Sequence, residues 1–183
     1  MMDKETRMLL EIIEHGKKEC QLTAFILLLE KSEDQVDWSY EVWETLLSSL
    51  KSSNLYEKIG ASQLLCYLSI SDPERRILHS FQDIWKCTYV PNQELAESVL
   101  RATWRIGLAG PDQRAILLQA YEKRFMTLCE SEDKVDQSTC WTILENLEIL
   151  NEQLPDRSTS ILIIQLRNLE VANKNITVTN KLN

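Results

Sequence analysis

The side chains that most often carry catalysis or hold a metal are sparse in this chain of 183 residues. Its two histidines, His15 and His79, belong to no recognisable set of zinc ligands or catalytic groups. The sequence contains neither of the standard Gly-rich phosphate loops and no nucleophile elbow. We therefore predict a protein that is not an enzyme, with no catalytic residue, no metal site and no cofactor.

The cysteines favour free thiols in a reducing compartment, because their number is odd and no C-x-x-C pair occurs. They are Cys20, Cys66, Cys87, Cys129 and Cys140. Residues 1–7 are charged and precede an amphipathic helix pattern, unlike a secretory signal peptide. The longest aliphatic run, Phe25–Leu29, is too short to span a bilayer. These features predict a cytoplasmic protein with no membrane partner.

Charge along the chain separates into acidic and basic segments, with a net charge of −8. Residues 130–156 hold eight acidic residues and one lysine, and residues 30–44 hold six acidic residues and one lysine. Residues 75–124 hold eight basic and five acidic residues. Because an acidic protein repels a polyanion, nucleic-acid binding would rest on that middle segment alone. We expect a protein partner with a basic surface rather than nucleic acid, with solvated helix faces as the simpler alternative.

Apolar residues recur at helical spacing in nine segments, and only 4 Gly and 4 Pro are available for turns. This pattern predicts an all-α fold in a single domain over residues 1–171, followed by a disordered polar tail over residues 172–183. The predicted helices are Glu5–His15, Lys18–Lys31, Asp37–Leu50, Asn54–Ile70, a helix entered at Asp72, Asn92–Ala109, a helix entered at Pro111, Lys134–Gln153 and Ser158–Val171.

Two similar helix entries, Asp72-Pro73-Glu74-Arg75 and Pro111-Asp112-Gln113-Arg114, lie 38 to 39 positions apart. In the first, Asp72 is predicted to cap a helix, with Pro73 at the first helical position, where no N–H is needed. A period near 40 built from helix pairs is typical of an α-solenoid, in which each pair buries its apolar face against the next.

Two inner-helix segments, Ile59-Gly60-Ala61-Ser62-Gln63-Leu64-Leu65 and Val99-Leu100-Arg101-Ala102-Thr103-Trp104, place small residues where helices must approach closely. Each is followed by a Pro/Asp junction and an outer helix. In these features residues 5–171 resemble the HEAT and armadillo-like repeats. The resemblance implies a right-handed α-solenoid of about four helix pairs plus a C-terminal capping helix, with the second helices lining the concave face. It also implies an adaptor or scaffold.

If the second helices line a concave face, their polar stripes form the candidate binding surface. A rotation of about 100° per residue places charged residues on one stripe of each helix. The predicted partner-binding residues are Glu94, Glu97, Arg101, Trp104, Arg105, Trp141, Glu145, Glu148 and Glu152, with Ser98, Ser138 and Thr142 on the same stripes. Two alternatives stay open: both Trp side chains pack between repeats, and Glu97 pairs with Arg101 within one helix.

The sequence thus predicts a non-enzymatic adaptor or scaffold that binds a basic protein partner on a concave face. One alternative is an inhibitor or immunity-type protein that masks a basic toxin or nuclease. Another is a DNA-acting helical-repeat enzyme similar to the alkylpurine DNA glycosylases, which use a Trp-lined cleft with an acidic residue and basic contacts. Trp104, Arg105 and Asp112 loosely fit that description. No motif of that group matches residue by residue.

Overall fold

The computed structural model describes the backbone of residues 1–181 and the side chains of residues 1–172. Helix accounts for 78% of the chain and no strand occurs in the described part, which confirms the predicted all-α class. The helices are α1 Lys4–His15, α2 Lys18–Lys31, α3 Ser39–Ser49, α4 Leu55–Leu68, α5 Ile77–Cys87, α6 Gln93–Ala102, α7 Pro111–Leu128, α8 Lys134–Gln153 and α9 Arg157–Lys181, with 3₁₀ segments at Ser69–Ser71 and Thr103–Leu108. The last helix continues to Lys181, beyond the predicted end at Val171. The disordered tail predicted over residues 172–183 stays a prediction.

The even-numbered helices follow one another in space. α2 contacts α4, α4 contacts α6, and α6 contacts α8. α1 packs on α2, α3 packs on α4, and α5 packs on both α4 and α6. α7 packs on α8 and on the second 3₁₀ segment, and α9 covers α7 and α8. The even-numbered helices are therefore the elements that join each helix pair to the next.

A single cluster of buried apolar side chains extends through the described chain from Leu9 in α1 to Leu166 in α9. α4 lies near its middle and is buried on most of its circumference, as its broad apolar surface predicts. The buried side chains of α4 are Ile59, Ala61, Ser62, Leu64, Leu65, Cys66 and Leu68. Because α4 touches α2, α3, α5 and α6, it ties four helices to one core.

A buried polar network joins α6, α7 and α8. The Leu100 carbonyl accepts hydrogen bonds from Thr103 Oγ1 and Asn146 Nδ2, both at 2.7 Å. Since the Thr103 hydroxyl donates there, the Tyr121 hydroxyl must donate to Thr103 Oγ1 at 2.6 Å and accept from Asn146 at 2.9 Å. Burial raises the pKa of Tyr121, so the phenol stays a donor throughout the physiological range.

The same network marks where α6 departs from the sequence prediction. The helix expected to continue to Ala109 ends at Ala102 and tightens into the 3₁₀ segment Thr103–Leu108. Gly107 lies in this segment, and a Cβ atom there would come within 2.6 Å of a Leu150 methyl group. The absence of a side chain at Gly107 thus allows the 3₁₀ segment to approach α8 closely.

The predicted helix start at Asp72 is wrong, whereas the start at Pro111 is confirmed. α5 begins only at Ile77, because Arg75 adopts a left-handed conformation with φ 57° and interrupts the helical path. Asp72 still caps this helix from further away: its Oδ2 accepts from the Ile77 N–H at 2.7 Å. Its Oδ1 accepts from the Tyr40 hydroxyl at 2.6 Å, so the buried carboxylate also ties the turn to α3.

Phe81→Ala should lower the free energy of unfolding by about 3–5 kcal/mol, because it leaves a cavity in the core. Phe81 is 1% exposed and stacks on Trp85 with ring centroids 5.9 Å apart. Urea denaturation measures the change. As a control, Tyr56→Ala removes an aromatic ring that is 74% exposed, and should stay within about 0.5 kcal/mol of the wild type. A cost below about 1 kcal/mol for Phe81→Ala would contradict its place in the core.

Tyr40→Phe should change how stability depends on alkaline pH. Burial, together with the hydrogen bond to Asp72, raises the pKa of Tyr40 to about 12. An unfolded phenol titrates at about 10, so Tyr40 contributes its full stabilisation below pH ~10 and loses it as the pH rises through ~12. Urea denaturation should show the stability gap between wild type and Tyr40→Phe narrowing across that window. A constant gap for Tyr40→Phe across that window would contradict the prediction.

Candidate functional site

The polar stripes predicted on α6 and α8 lie side by side, and we refer to them together as the α6–α8 ridge. Its members are Glu94, Glu97, Arg101, Trp104, Arg105, Trp141, Glu145, Glu148 and Glu152. The opposite side of α8 packs in the core, where Ile143, Leu147 and Leu150 are buried. This packing determines which side of α8 faces solvent.

Arg101 joins the two stripes through carboxylates on both helices. Its Nη2 lies 2.8 Å from Glu97 Oε1 on α6, and its Nη1 lies 3.0 Å from Glu145 Oε2 on α8. The hydrogen bond to Glu97, followed by that to Glu145, raises the pKa of Arg101. The predicted intrahelical pair between Glu97 and Arg101 is thus present, and Arg101 also contacts α8 through Glu145. Because the Arg101 side chain is 53% exposed, these pairs add little to stability.

The acidic residues of α8 differ in their surroundings. Arg167 of α9 binds Glu148 through Nε at 3.0 Å and also through Nη2. Glu152 is exposed at the C-terminal end of α8. With Glu145 bound to Arg101, two of the three predicted carboxylates already have an internal cationic partner. The ridge therefore carries both positive and negative charges and is not a uniformly acidic surface.

Arg105 and Trp104 are less accessible than their position on the stripe predicts. The Arg105 side chain is only 15% exposed, because its guanidinium lies between the Tyr67 ring at 3.7 Å and the Trp104 ring at 4.4 Å. Its Nη2 also lies 3.2 Å from Glu33 Oε1. The 3₁₀ winding after Ala102 shifts these residues off the α-helical stripe. Sequence periodicity could not reveal this, since it assumed a continuous helix.

Trp141 is the large apolar side chain that the ridge leaves exposed. It is 58% exposed and stands one turn before Glu145 on the same face of α8. The rotation of about 100° per residue predicted its neighbour Thr142 on the same polar stripe. Thr142 is fully buried, so that prediction is wrong. An exposed Trp beside charged groups is the kind of residue that anchors protein interfaces.

The residues considered for a glycosylase-like site have separate partners. Arg105 binds Glu33, whereas Asp112 binds Arg75 with an N–O distance of 2.6 Å. Trp104 packs under the Arg105 guanidinium. Among the described residues, no group of three or more His, Cys, Asp or Glu side chains is placed to hold a metal ion. No described helix combines the length and apolarity needed to cross a bilayer.

A cavity next to the ridge was not predicted from the sequence. It measures about 200 Å³ and is lined by residues of α6, α7, α8 and the segment that follows α5. Glu97 lines this cavity and also belongs to the ridge. Arg124 of α7 also lines the cavity. At about 100° per residue it lies at the edge of the buried stripe that includes Leu117 and Tyr121, so an arginine bordering an apolar stripe is the signal in the sequence that could have indicated it.

No protein-family model matches the chain, and neither a curated protein nor a solved structure is similar enough to count as a match. The likeness to HEAT and armadillo-like repeats therefore rests on helix lengths, small residues and helix order in this chain.

Arg105→Ala and Arg101→Ala should differ in their effect on stability, although both remove one ridge arginine. Arg105→Ala should lower the free energy of unfolding by about 1–2 kcal/mol, because the guanidinium is largely buried between two rings. Arg101→Ala should stay within about 0.5 kcal/mol, because its ion pairs are exposed. Thermal and urea denaturation measure both. Equal effects of the two variants would show that the Tyr67–Arg105–Trp104 contact contributes no more stability than an exposed ion pair.

Proposed function

We propose that this chain is a protein-binding module, with helix pairs stacked as a HEAT-like right-handed solenoid and an α6–α8 ridge that docks a partner with a basic surface. The row formed by α2, α4, α6 and α8 supports the stacking. Hydrogen bonds between equivalent helices and turns also recur at similar separations. They join Val36 with Ser71, 35 residues apart, Gln63 with Ser98, 35 apart, and Ser69 with Arg105, 36 apart. A repeated step of this kind is what a stack of similar units requires.

Exposed Trp141 is the observation that carries the binding proposal. A side chain of this size costs free energy in water, and a partner that covered it would recover that cost. Trp141 stands beside Glu145, whose carboxylate can accept more hydrogen bonds than the one from Arg101. A lysine or arginine of the partner could therefore join the Arg101–Glu145 pair without displacing it. The ridge would then bind through one apolar anchor surrounded by charge pairs.

The acidic segments around the ridge are the reason why we expect a positively charged partner. Residues 130–156 include the start and the exposed face of α8, and carry eight acidic residues against one lysine. Such a field accelerates the encounter with a basic protein and slows it for an acidic one. An inhibitor that masks a basic enzyme is one form of this function. Loss of the captured enzyme's activity on binding would distinguish it from a scaffold.

Affinity capture followed by binding kinetics on the captured partner tests the proposal. Trp141→Ala should weaken the complex, mainly through faster dissociation, because it removes the anchor. Reversal of Glu145, Glu148 and Glu152 to Lys should slow association by about tenfold or more and reduce its dependence on salt, because steering charge is removed. The melting temperature should change little, because these carboxylates are at least partly exposed.

A matched control is the reversal of Glu11, Glu14 and Glu19 to Lys. These three exposed residues lie on α1 and α2, so the net charge changes equally while the ridge is untouched. Association should then slow much less than with the ridge reversal. A partner whose binding is indifferent to Trp141→Ala and to the ridge reversal would exclude the ridge as the docking surface.

A further inference from the structure

The cavity beside the ridge lies where the first halves of α6 and α8 meet α7 and the segment after α5. Part of its lining is apolar and includes Val90, Ala96 and Leu100. Another part is polar and includes Ser138 and Arg124. The Ser138 hydroxyl makes no hydrogen bond within the described chain, so it is available to a ligand. The cavity thus combines an apolar wall with a cation and a free hydroxyl.

Arg124 uses only part of its hydrogen-bonding capacity. Its Nη1 donates to Thr88 Oγ1 at 2.6 Å and its Nη2 donates to the Thr88 carbonyl at 3.1 Å. The Tyr89 ring covers the guanidinium, with its centroid 4.0 Å from Cζ. A guanidinium has five N–H groups, and Nε is hidden from solvent with no partner in the described chain. Three of the five N–H groups therefore have no acceptor in the described chain. Because Nε is hidden from solvent, the hydrogens that a ligand could reach are the second ones of Nη1 and Nη2.

Arg124 also differs from the other half-buried arginines of the described chain in lacking a carboxylate partner. Each of the others has a carboxylate oxygen 2.9 to 3.3 Å away: Arg76 has Glu74, Arg105 has Glu33, and Arg114 has Asp156. Arg124 makes no such ion pair with a described residue, and Asp136 attracts it only at longer range. Burial lowers the pKa of Arg124, which reflects the cost of an uncompensated cation.

The geometry points to a binding site for a small carboxylate, in which Arg124 supplies the charged contact, Ser138 donates a hydrogen bond, and Val90, Ala96 and Leu100 receive a short aliphatic chain. Glu97 also lines the cavity, but Arg101 binds its carboxylate through Nη2 at 2.8 Å and through Nε at 3.2 Å. The same guanidinium also binds Glu145, so Glu97 is not a free anion at the wall, although it shares the charge of Arg101. Among the described residues of the lining, Arg124 is the cation that has no carboxylate partner.

The size of the cavity suits a small ligand. Its volume is about 200 Å³. Sites for drug-sized ligands measure about 300–1,000 Å³, so this one suits a short monocarboxylate. The same carboxylate could belong to a free acid or to the C-terminus of a peptide. Binding experiments with both forms distinguish these sources.

Titration of the full chain with sodium hexanoate, followed by nuclear magnetic resonance, tests the site directly. We expect saturable shifts of the backbone amides of Thr88, Tyr89, Ser138 and Thr139, with a dissociation constant of about 1–10 mM for so small a ligand. The neutral 1-hexanol and the cationic hexylamine have similar chains and should bind at least about tenfold more weakly. In a parallel arm, a short peptide with a free C-terminal carboxylate is compared with its C-terminal amide.

Two variants connect the binding to the cavity. Arg124→Lys keeps the charge but loses the planar fork, and should weaken hexanoate binding about tenfold. Ala96→Leu fills the cavity from α6, leaves Arg124 and Thr88 intact, and should abolish binding. If Arg124→Lys impairs folding, as judged by circular dichroism, Ala96→Leu decides alone. Arg167→Lys, on the exposed face of α9, is the matched control and should bind hexanoate like the wild type.

The possible outcomes separate clearly. Hexanoate binding that both cavity variants weaken supports a site for free acids. Binding of the peptide acid alone, lost in the amide and in Ala96→Leu, supports the same carboxylate site with a chain end as its source. Equal binding of hexanol and hexanoate would overturn the proposal, because Arg124 would then contribute nothing. Absence of saturable shifts with every carboxylate probe would also overturn it.

Discussion

Burial of α4 on nearly all sides is the constraint on which the rest of this structure depends. A helix with apolar residues around its circumference is stable in water only if other elements cover every face. α2, α3, α5 and α6 do so, and the cluster continues from there to α9. The packing of these helices buries the apolar surface of α4, and the exposed polar residues lie on the sides of the helices that face away from this core.

Polar contacts fix where the helices stop. The Leu100 carbonyl accepts from Thr103 and Asn146, and the Tyr121 hydroxyl satisfies both of these side chains in turn. An unpaired buried carbonyl or hydroxyl would cost about 1–3 kcal/mol, so loss of one member exposes the others to that penalty. The network holds α6, α7 and α8 in one arrangement and turns the chain into the 3₁₀ segment. Apolar burial brings the helices together, and this network sets their register.

The sequence predicts the helices better than it predicts their surface. The bounds of α2 and α8 agree with prediction, because charged or polar residues stand at both ends of each apolar segment. The entry at Asp72 differs, since its carboxylate caps from five residues away after a left-handed residue, and no periodic pattern encodes that turn. Pattern arguments detect which side of a helix is apolar. They do not detect a local change of winding or a turn.

Local spacing also fails to predict which charged residues contact each other. Periodicity places Arg101 on the polar side of α6 correctly, but the binding of Arg105 to Glu33 joins residues 72 positions apart. Such pairings depend on tertiary packing, which no local spacing specifies. That Arg124 has no carboxylate partner among the described residues is a property of the assembled chain for the same reason. A candidate site made of contacts between distant helices therefore becomes visible only in the folded structure.

Glu97 connects the two proposed sites physically. Its carboxylate binds Arg101 on the ridge, while the residue also lines the cavity that Arg124 reaches. A carboxylate ligand would add negative charge close to Glu97. This charge would strengthen the electrostatic attraction of Arg101 toward that side of the ridge. A basic partner bound at Glu145 would add positive charge to the same group of side chains, because Arg101 contacts both carboxylates. Because coupling between two binding sites is reciprocal, a bound partner would favour the carboxylate ligand to the same extent.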